Sequence, residues 1–351
     1  MSAPLNILHL THEGRGAGSS VSIALLARAQ QRAGHRVAVA CPPGWLADRL
    51  MDAGVIWRAM DFSSLAGAGR AVGCMVSGDG VQVVNAHSSR DRAACRRLRF
   101  LGKLPAALVM TRRSMPHSSI PSAMASGFAA DRVIAVSATV ARALVARGTP
   151  RRRISVVYNA VDLERIDRPV SEDERRRARA AVPERSPLVG VVSRRKDHHT
   201  LLDAMRQVPA TLVSLGFESG ASTPRRSGAS AVFLPFQDPR PFYDLFDVVV
   251  LPTREEGLSQ SLLEAMALGK AVVTTDVGSN RELIDDGVHG LLVPPGDAAA
   301  LAAAIHRLLN DRALAARLGG AACQRVRTRF TIDRTLASTD EAYRLALRRR
   351  G

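Results

Sequence analysis

The chain predicts an α/β protein made of two Rossmann-like, doubly wound parallel-sheet domains. Two observations support this fold class. Short runs of apolar and β-branched residues recur along both halves, and several are apolar throughout, as strands covered on both faces by helices should be. Helical patterns separate these runs. The length of 351 residues also suits two domains better than one hydrophobic core.

Twelve runs predict the strands, six in each half. Those of the first half are NILHL (6–10), RVAVAC (36–41), VQVVNAH (81–87), ALVMT (107–111), RVIAVS (132–137) and ISVVYN (154–159). Those of the second half are PLVGVV (187–192), ATLVSLG (210–216), AVFLPF (231–236), VVVLPT (248–253), AVVTTD (271–276) and GLLVP (290–294). Between the first two runs, SIALLARAQQRAG (22–34) predicts an amphipathic helix that stops at Gly34.

The domain boundary is predicted in the charge-dense stretch 159–187, which contains three prolines. The first domain is therefore expected to span 1–165 and the second 166–330. The stretch 330–351 has no strand pattern and predicts one or two terminal helices. We expect the helix at 331–351 to join the first domain.

The net charge of +17 is unevenly distributed. Residues 1–165 hold 22 Lys/Arg and 9 Asp/Glu, whereas 166–351 hold 27 and 23. A basic first half indicates affinity for nucleic acid, anionic lipid headgroups or phosphorylated substrates. Aromatic residues make up only 4%, which argues against a base-stacking RNA reader. Five arginines, predicted to form one basic face of a helix, are Arg90, Arg92, Arg96, Arg97 and Arg99.

The cysteines and the N-terminus indicate the compartment. Four scattered cysteines form no CxxC pair, so we expect neither a metal nor a disulfide framework, and a reducing environment fits. MSAPLNILHL lacks the pattern of a signal peptide, and no stretch approaches the roughly 18–20 apolar residues of a membrane span. We expect a cytoplasmic protein that can adsorb to a membrane face.

Three strand exits have the character of anion-binding turns, because ligands of open parallel sheets bind beyond the carboxyl ends of the strands. The first, HLTHEGRGAGSS, carries Gly16 and Gly18 between a strand and a helix. The second follows VVVLPT and contains Glu256, then a helix that is expected to begin after Ser259. Glu264 lies inside that helix, where its carboxylate suits a ribose diol. The third carries the cations Arg194, Arg195 and Lys196 after PLVGVV.

Together these residues resemble a family 4 glycosyltransferase of the GT-B fold, along nearly the whole chain. The most specific match is EGLSQSLLEAMALGKAVVTTDVGSNRELIDDGVHGLLVPPGD (256–297), which is similar to the family's donor-binding signature. VVYNAVDLERI (156–166) resembles its interdomain segment, with Ala160 where glycine is usual. The resemblance implies two domains that face a cleft, and domain closure around a donor.

The resemblance also implies roles for residues. Glu264 would hold the nucleotide ribose and Glu256 the hydroxyls of the transferred sugar. The backbone of Gly257, Leu258 and Ser259 would seat the sugar and the diphosphate. Arg194 and Lys196 would match the basic pair that binds the diphosphate, with Arg195 as the alternative to Arg194. Gly16 and Gly18 would approach the same phosphates.

The acceptor side departs from the family pattern. Many members carry a histidine after the strand that here reads ALVMT, and this chain has Arg112 and Arg113 instead. An arginine takes the acceptor-side role, or His87 or His117 does, with His87 the better candidate because it lies at a strand end.

The resemblance implies a retaining transfer from a nucleotide diphosphate sugar to an acceptor hydroxyl, without a bound cofactor or metal. No Asp-x-Asp occurs in the sequence, which argues against a metal-dependent glycosyltransferase of the other major fold. The first half is the acceptor half in that family, so the resemblance and the basic charge together imply a lipid-linked or phosphorylated glycan acceptor at an anionic membrane face, as in lipopolysaccharide core or surface-polysaccharide biosynthesis. The alternatives are a sugar phosphorylase or sugar-phosphate glycosyltransferase on the same fold, a non-catalytic sugar-binding module and a basic nucleic-acid-binding protein.

Overall fold

The computed structural model of the protein describes residues 3–117, 119–184, 186–193, 196–216 and 229–350. The chain divides into two compact units. Unit 1 is Met1–Ala160 with Ile332–Gly351, and unit 2 is Val161–Thr331. The first division comes after Ala160, five residues before the predicted boundary at 165.

Unit 1 is built on a parallel sheet with the strand order β3-β2-β1-β4-β5-β6-β7 in the described residues. Every strand pairs in parallel with its neighbours, and the order reverses at the β1–β4 pair. This is the arrangement of a doubly wound sheet. The strands are β1 Asn6–Leu10, β2 Arg36–Cys41, β3 Ile56–Ala59, β4 Val83–Ala86, β5 Ala107–Arg112, β6 Arg132–Ala135 and β7 Ile154–Val156.

Helices follow the strands of unit 1 and cover the sheet. They are α1 Gly18–Arg32, α2 Trp45–Asp52, α3 Leu65–Gly78, α4 Ser89–Phe100, α5 Ile120–Ala129 and α6 Ala138–Ala146. Because β4, β5 and β6 are consecutive neighbours joined by right-handed crossovers, α4, α5 and α6 lie side by side on one face of the sheet. The α4 helix packs against both α3 and α5.

The C-terminal helix of the chain belongs to unit 1. Helix α15, Ile332–Arg348, packs against α1, β5 and β6. Ala342, Tyr343 and Ala346 on its inner face join the core formed by the strands. The Tyr343 hydroxyl accepts a hydrogen bond from the Asn85 side-chain amide at 2.7 Å, which ties the helix to β4. The expected terminal helix is therefore present and packs on the first domain.

Unit 2 repeats this architecture. Its sheet has the order β10-β9-β8-β11-β12-β13, again parallel throughout the described residues. The strands are β8 Leu188–Val192, β9 Thr211–Leu215, β10 Ala231–Leu234, β11 Val248–Leu251, β12 Ala271–Thr275 and β13 Leu291–Val293. The helices are α7 Leu163–Asp167, α8 Glu172–Ala180, α9 His198–Met205, α10 Arg240–Tyr243, α11 Gln260–Ala267, α12 Asn280–Leu283, α13 Ala298–Asn310 and α14 Arg312–Arg329.

The predicted fold class is confirmed, and all twelve predicted runs contain a strand. Strand β3, Ile56–Ala59, was not predicted, because three of its four residues are exposed and it has no buried apolar run. Helix α1 ends where predicted, with Gly34 at a φ of 91°, but begins at Gly18 and not at residue 22. No helix in the described part of the chain is long and apolar enough to cross a membrane.

The contact between α14 and the end of α11 gives a stability test. A Cβ at Gly319 would lie 2.1 Å from the backbone oxygen of Gly269, whereas a Cβ at Gly320 would meet nothing within 4 Å. Gly319→Ala should therefore destabilise unit 2 by about 1–3 kcal/mol or more, since backbone cannot give way as a side chain can. Gly320→Ala in the same helix should stabilise it by about 0.5–1 kcal/mol. Thermal unfolding of both variants checks this, and equal melting temperatures would contradict the packing.

Candidate functional site

In unit 2 the reversal of strand order places β8 beside β11, although β9 and β10 lie between them in sequence. Such a reversal opens a crevice at the carboxyl ends of the two strands. The connections that leave the sheet there are 193–197 after β8 and 252–259 after β11. They carry the predicted donor-site residues of unit 2, except for Glu264 in the following helix.

Helix α11 begins and ends as predicted. The Ser259 hydroxyl accepts a hydrogen bond from the Leu262 N–H at 3.3 Å and caps the helix start. Gly269, with a φ of 70°, follows the helix end. Leu262 and Leu263 are buried, so the helix start is fixed at the edge of the sheet. Its N–H groups give this end of the helix a partial positive charge.

Glu264 is a buried carboxylate in the second turn of α11, with 5% of its surface exposed. Arg165 of α7 donates a hydrogen bond from Nη1 to Glu264 Oε1 at 2.8 Å. Its Nη2 donates to Asp238 Oδ1 at 2.6 Å. One guanidinium thus holds two acids. A carboxylate has about four acceptor positions, so the bond from Arg165 leaves Glu264 able to accept from a diol.

The charges of this cluster depend on one another. Burial raises the pKa of Glu264, and the charge of Arg165 opposes that rise. Burial lowers the pKa of Arg165, but Glu264 and Asp238 outweigh it, so the guanidinium stays charged. Burial also raises the pKa of Tyr243 well above its usual value, and its neutral hydroxyl donates to the Ser261 carbonyl at 3.0 Å. Arg165 is therefore the group that favours an ionised Glu264.

Glu256 and Lys196 form an ion pair across the crevice of unit 2. Lys196 Nζ donates to Glu256 Oε2, and both side chains are largely buried. The Gly257 N–H donates to Glu256 Oε1 at 3.1 Å. The Asp197 N–H donates to the Pro252 carbonyl at 3.1 Å, which joins the connection after β8 to the end of β11. A predicted sugar-binding acid and a predicted phosphate-binding cation therefore neutralise each other here.

The loop that carries Glu256 rests on the connection after β12. Gly278 has a φ of 52°, and a Cβ there would lie 2.5 Å from the Glu256 carbonyl oxygen. The Ser279 hydroxyl donates to that oxygen at 3.4 Å. Only glycine permits this approach of two backbones. The position of the Glu256 backbone thus depends on a residue that the sequence analysis did not single out.

Of the remaining predicted donor-site residues of unit 2, three lie in the described part of the chain and two do not. Gly257, Leu258 and Ser259 are all buried at the start of α11, and the predicted roles of their backbone groups stay predictions. Arg194 and Arg195 lie outside the described residues, and their assignment stays a prediction.

In unit 1 the glycine loop joins β1 to α1. Gly16 is buried just before the helix, and Gly18 is its first residue. The Ser20 hydroxyl donates to the Arg15 carbonyl at 2.7 Å and closes the loop. Their predicted place at the phosphates stays a prediction.

His87 follows β4 directly and is buried together with His9 of β1. Their rings stack with centroids 5.1 Å apart, and His9 Nδ1 lies 2.9 Å from His87 Nε2. His9 Nε2 lies 2.7 Å from Gln30 Oε1. Arg113 reaches His87 Nδ1 at 3.5 Å and donates to Asn159 Oδ1 at 2.8 Å. The structure therefore joins two of the acceptor-side candidates, His87 and Arg113, in one buried polar cluster.

The environment keeps both histidines neutral. Burial lowers the pKa of His9 to about 4, with Gln30 opposing the shift and Arg113 adding to it. Burial, and then the charge of Arg113, hold the pKa of His87 well below its usual range. Burial also lowers the pKa of Arg113 to about 10, so the guanidinium stays charged at neutral pH. A neutral imidazole beside a fixed cation can accept a proton only weakly.

The other two acceptor-side candidates lie on the connection after β5. Arg112 is half-buried, and burial lowers its pKa, with the Arg147 charge as a smaller cause. His117 is exposed. The structure thus favours His87 and Arg113 as the buried pair and leaves His117 at the surface.

The predicted basic face of α4 is wrong. Arg92 donates to the carbonyls of His87 and Thr111, and Arg96 donates to two serines of α5. Arg99 pairs with Asp131 at 2.5 Å. These three arginines recur at i, i+4 and i+7, which places them on the side of the helix that packs on the protein. Arg90 and Arg97 are the two that are exposed.

The polar partners of the site residues were not predicted. Arg165, Asp238 and Tyr243 surround Glu264, and His9 lies against His87. Arg165 lies in the quoted segment VVYNAVDLERI, but no spacing links it to a residue 99 positions later. Among the described residues, no group of three or more His, Cys, Asp or Glu side chains is arranged to hold a metal ion.

Comparison with known families gives two matches that together cover most of the chain. The family model "Glycosyltransferase Family 4" matches residues 16–165, and "Glycosyl transferases group 1" matches residues 187–311.

Curated relatives match part of the chain. The D-inositol 3-phosphate glycosyltransferase of Streptomyces bingchenggensis is 31% identical over 63% of this chain and 54% of its own. The lipopolysaccharide core biosynthesis glycosyltransferase LpsE of Rhizobium meliloti is 32% identical over 48% of this chain and 51% of its own. The matched part therefore spans about half the length of these relatives.

Solved structures share the fold along the whole chain. Alr3699/HepE of Anabaena, in complex with UDP-glucose, superposes with a TM-score of 0.83 at 20% identity, over 95% of this chain and 98% of that one. Sucrose-phosphate synthase of Thermosynechococcus elongatus superposes with a TM-score of 0.78 at 22% identity, over 97% of this chain and 98% of that one. At this identity the likeness establishes the fold.

The Arg165–Glu264 pair gives a pH-dependent stability test. Arg165→Met leaves a buried acid without its cation, which typically costs about 3–5 kcal/mol. The variant should raise the folded-state pKa of Glu264 further. An acid with a raised folded pKa binds more protons folded than unfolded, so the deficit should be larger at about pH 8 than at about pH 5.

Urea unfolding followed by circular dichroism measures this deficit. Trp45 and Trp57 both lie in unit 1, so their fluorescence serves as an internal reference. Arg168→Met is the control, because it removes an exposed arginine three residues further along the chain. The free energy of unfolding of this variant should change little at either pH. A deficit that is equal at both pH values would contradict the role given to Arg165.

The His9–His87 cluster predicts acid sensitivity of unit 1. Both folded pKa values lie below the unfolded value near 6.5, so the unfolded chain binds more protons in between. The free energy of unfolding of unit 1 should therefore be highest above about pH 6.5 and should fall toward pH 4, by about 3 kcal/mol for His9 alone. Unfolding followed by tryptophan fluorescence measures it. His9→Gln should flatten the pH dependence and His117→Gln should not; an unchanged slope in His9→Gln would overturn the prediction.

Proposed function

The chain belongs to glycosyltransferase family 4, and from this premise we propose that it transfers a sugar from a nucleotide diphosphate sugar to a hydroxyl group of a glycan acceptor. The observation that carries the proposal is the arrangement of Glu256 and Glu264 around the start of α11 in unit 2. One acid is paired with a lysine and the other with an arginine. These are groups that can bind two sets of hydroxyls on either side of a diphosphate.

Glu264 accepts hydrogen bonds from the two ribose hydroxyls in this proposal. Arg165 keeps the carboxylate ionised in its buried position, and a charged acceptor forms stronger hydrogen bonds than a neutral one. Asp238 holds the other side of the guanidinium and fixes its orientation. The rigid surroundings of Glu264 limit the entropy lost when the nucleotide binds.

Lys196 and Glu256 exchange partners when the donor binds. The ammonium group moves to a diphosphate oxygen, and the carboxylate accepts hydrogen bonds from the transferred sugar. The ion pair between them keeps both groups at the crevice in the meantime, because each charge offsets part of the desolvation penalty of the other. The backbone N–H groups at Gly257, Leu258 and Ser259, at the positive end of α11, add to the stabilisation of the diphosphate. Arg194 or Arg195 supplies a second cation.

The transfer step breaks the bond between the anomeric carbon and the diphosphate oxygen, and the electron pair stays on the diphosphate. The acceptor oxygen bonds to the anomeric carbon on the same face, with retention, and its proton passes to the departing phosphate oxygen. Positioning of the reactants and stabilisation of the leaving group supply the rate enhancement. Cations and helix N–H groups serve where a metal ion would otherwise act, so we propose a metal-independent reaction without a cofactor.

The acceptor proposal rests on charge and on the relatives. Unit 1 carries most of the positive charge, and the named relatives act on an inositol phosphate or in lipopolysaccharide core biosynthesis. We propose a lipid-linked or phosphorylated glycan acceptor, met at the inner face of the cytoplasmic membrane. His87 and Arg113 form the acceptor-side cluster, with Arg113 as the cation that faces the acceptor's phosphate or sugar hydroxyls.

Nucleotide binding provides the test. Thermal unfolding with UDP, GDP, ADP and CMP should show a shift with one of them, unchanged by EDTA. At about a hundred times its dissociation constant a ligand stabilises the folded state by about 2.7 kcal/mol. Glu264→Gln should abolish most of the shift. Glu255→Gln, a change to an exposed acid in the same loop, should retain it.

The outcomes separate the rival functions. A shift that EDTA removes and a divalent ion restores would contradict the metal-independent site. If no nucleotide produces a shift, the donor site is not functional as proposed and a phosphorylase or nucleic-acid-binding function gains support.

A further inference from the structure

The surface of α5 is unusual for a domain with so high a positive charge. The helix IPSAMASGFA has no charged residue, although helices on protein surfaces normally expose a polar face. Ile120, Met124 and Phe128 recur every four residues along its outer side and are 54%, 40% and 52% exposed. A solvent-facing stripe of large apolar side chains indicates a surface that is covered in use.

The neighbouring helices extend this stripe. Phe100 and Leu101 at the end of α4 are 65% and 56% exposed, and Val145 near the end of α6 is also exposed. These ends lie close to α5. Arg96 of α4 donates to Ser126 of α5 at 3.1 Å. We call this surface the α5 patch, and its members are Phe100, Leu101, Ile120, Met124, Phe128 and Val145.

The connection after α6 packs against α5. A Cβ at Gly148 would lie 2.5 Å from Met124 Cγ, and one at Gly127 would lie 3.0 Å from Thr149. The Arg153 guanidinium lies 5.2 Å from the Phe128 ring centre, and it donates to the Phe128 carbonyl at 2.6 Å. These contacts place Met124 and Phe128 of α5 beside the connection after α6, and Arg153 fixes the C-terminal end of α5.

Most of the excess charge of unit 1 lies in the segment of the chain that carries this patch. Residues 89–153 hold 14 Lys/Arg and 2 Asp/Glu, whereas residues 1–88 hold 7 and 5. The two acids are not on the open surface, because Asp91 is buried and Asp131 pairs with Arg99. The exposed cations are Arg90, Arg97, Lys103, Arg142, Arg151 and Arg152.

This combination selects one kind of partner. A second copy of the chain would bring the same positive charges against each other, which disfavours self-association. A nucleic acid would satisfy the cations but would leave the apolar side chains of α5 exposed. An anionic lipid bilayer satisfies both, since phenylalanine and isoleucine enter the acyl boundary while arginine and lysine reach the headgroups.

We propose that the α5 patch is the surface by which unit 1 docks on an anionic membrane. The inference deepens the membrane-side part of the proposed function. Helix α5 begins three residues after His117, at the connection that carries Arg112 and Arg113. Docking through α5 therefore brings the acceptor-side residues of unit 1 close to the headgroup layer, where the glycan of a lipid-linked acceptor lies.

Vesicle flotation of the full chain tests the docking surface without any nucleotide, so its result is independent of donor binding. The protein should float with vesicles of phosphatidylcholine containing about 30 mol% phosphatidylglycerol and stay unbound with phosphatidylcholine alone. Binding should weaken strongly between about 0.05 M and about 0.5 M NaCl. A chain that does not float with anionic vesicles at low salt overturns the proposal.

Paired variants assign the binding to the patch. Ile120→Gln/Phe128→Gln should remove most of the flotation. Met51→Gln/Ile56→Gln, which changes two comparably exposed apolar residues on α2 and β3, is the matched control and should float like the wild type. Tryptophan fluorescence confirms that each variant is folded. Equal flotation of the two variants would contradict the assignment.

A second pair of variants tests the contribution of the exposed cations in residues 89–153. Arg97→Gln/Arg152→Gln should lower the partition coefficient about fivefold for each arginine and reduce the salt dependence. Arg36→Gln/Arg58→Gln removes the same charge from β2 and β3 and should have a smaller effect. If a DNA duplex binds the chain as tightly as the vesicles do, and Ile120→Gln/Phe128→Gln binds both as well as the wild type, the patch is not a membrane surface.

Discussion

The buried ion pair between Arg165 and Glu264 is the interaction on which the candidate donor site depends. A carboxylate inside a protein loses most of its hydration, and it stays ionised only where a cation replaces that hydration. Arg165 supplies this cation and is itself fixed by Asp238. The arginine belongs to α7, five residues into unit 2, so the segment that opens the unit also sets the charge of the acid in α11.

Unit 1 has the same architecture as unit 2, but the polar cluster at its strand-order reversal carries a different charge. Both sheets reverse their strand order once, at β1–β4 and at β8–β11, and polar side chains gather beyond both reversals. In unit 2 these side chains form pairs of opposite charge. In unit 1 the cluster contains two neutral histidines and Arg113, so it carries net positive charge in a buried position. This difference is consistent with the proposed roles of the two units, hydroxyl binding through carboxylates in unit 2 and an anionic or hydroxyl-bearing acceptor at unit 1.

Local pattern was enough to predict the strands, the two-domain α/β fold and the start and end of α11, because buried parallel strands and helix caps leave signals within a few residues. The edge strand β3 left no such signal, since it is mostly exposed. Arg165 and His9 were missed because their partners lie 99 and 78 positions away. Three arginines of α4, Arg92, Arg96 and Arg99, were misassigned because residue type alone does not say which face of a helix packs on the protein. The α5 patch does have a sequence signal, because its helix contains no charged residue within a strongly basic region. Charges counted over each half of the chain do not show this local contrast.

A crystal structure of the protein with a bound nucleoside diphosphate would test the central claim most directly. In that structure both ribose hydroxyls should donate to the Glu264 carboxylate while Arg165 remains on its Oε1, and Lys196 Nζ should leave Glu256 for a diphosphate oxygen. A nucleotide bound elsewhere in unit 2, or one whose ribose makes no contact with Glu264 while the Lys196–Glu256 pair stays closed, would contradict it.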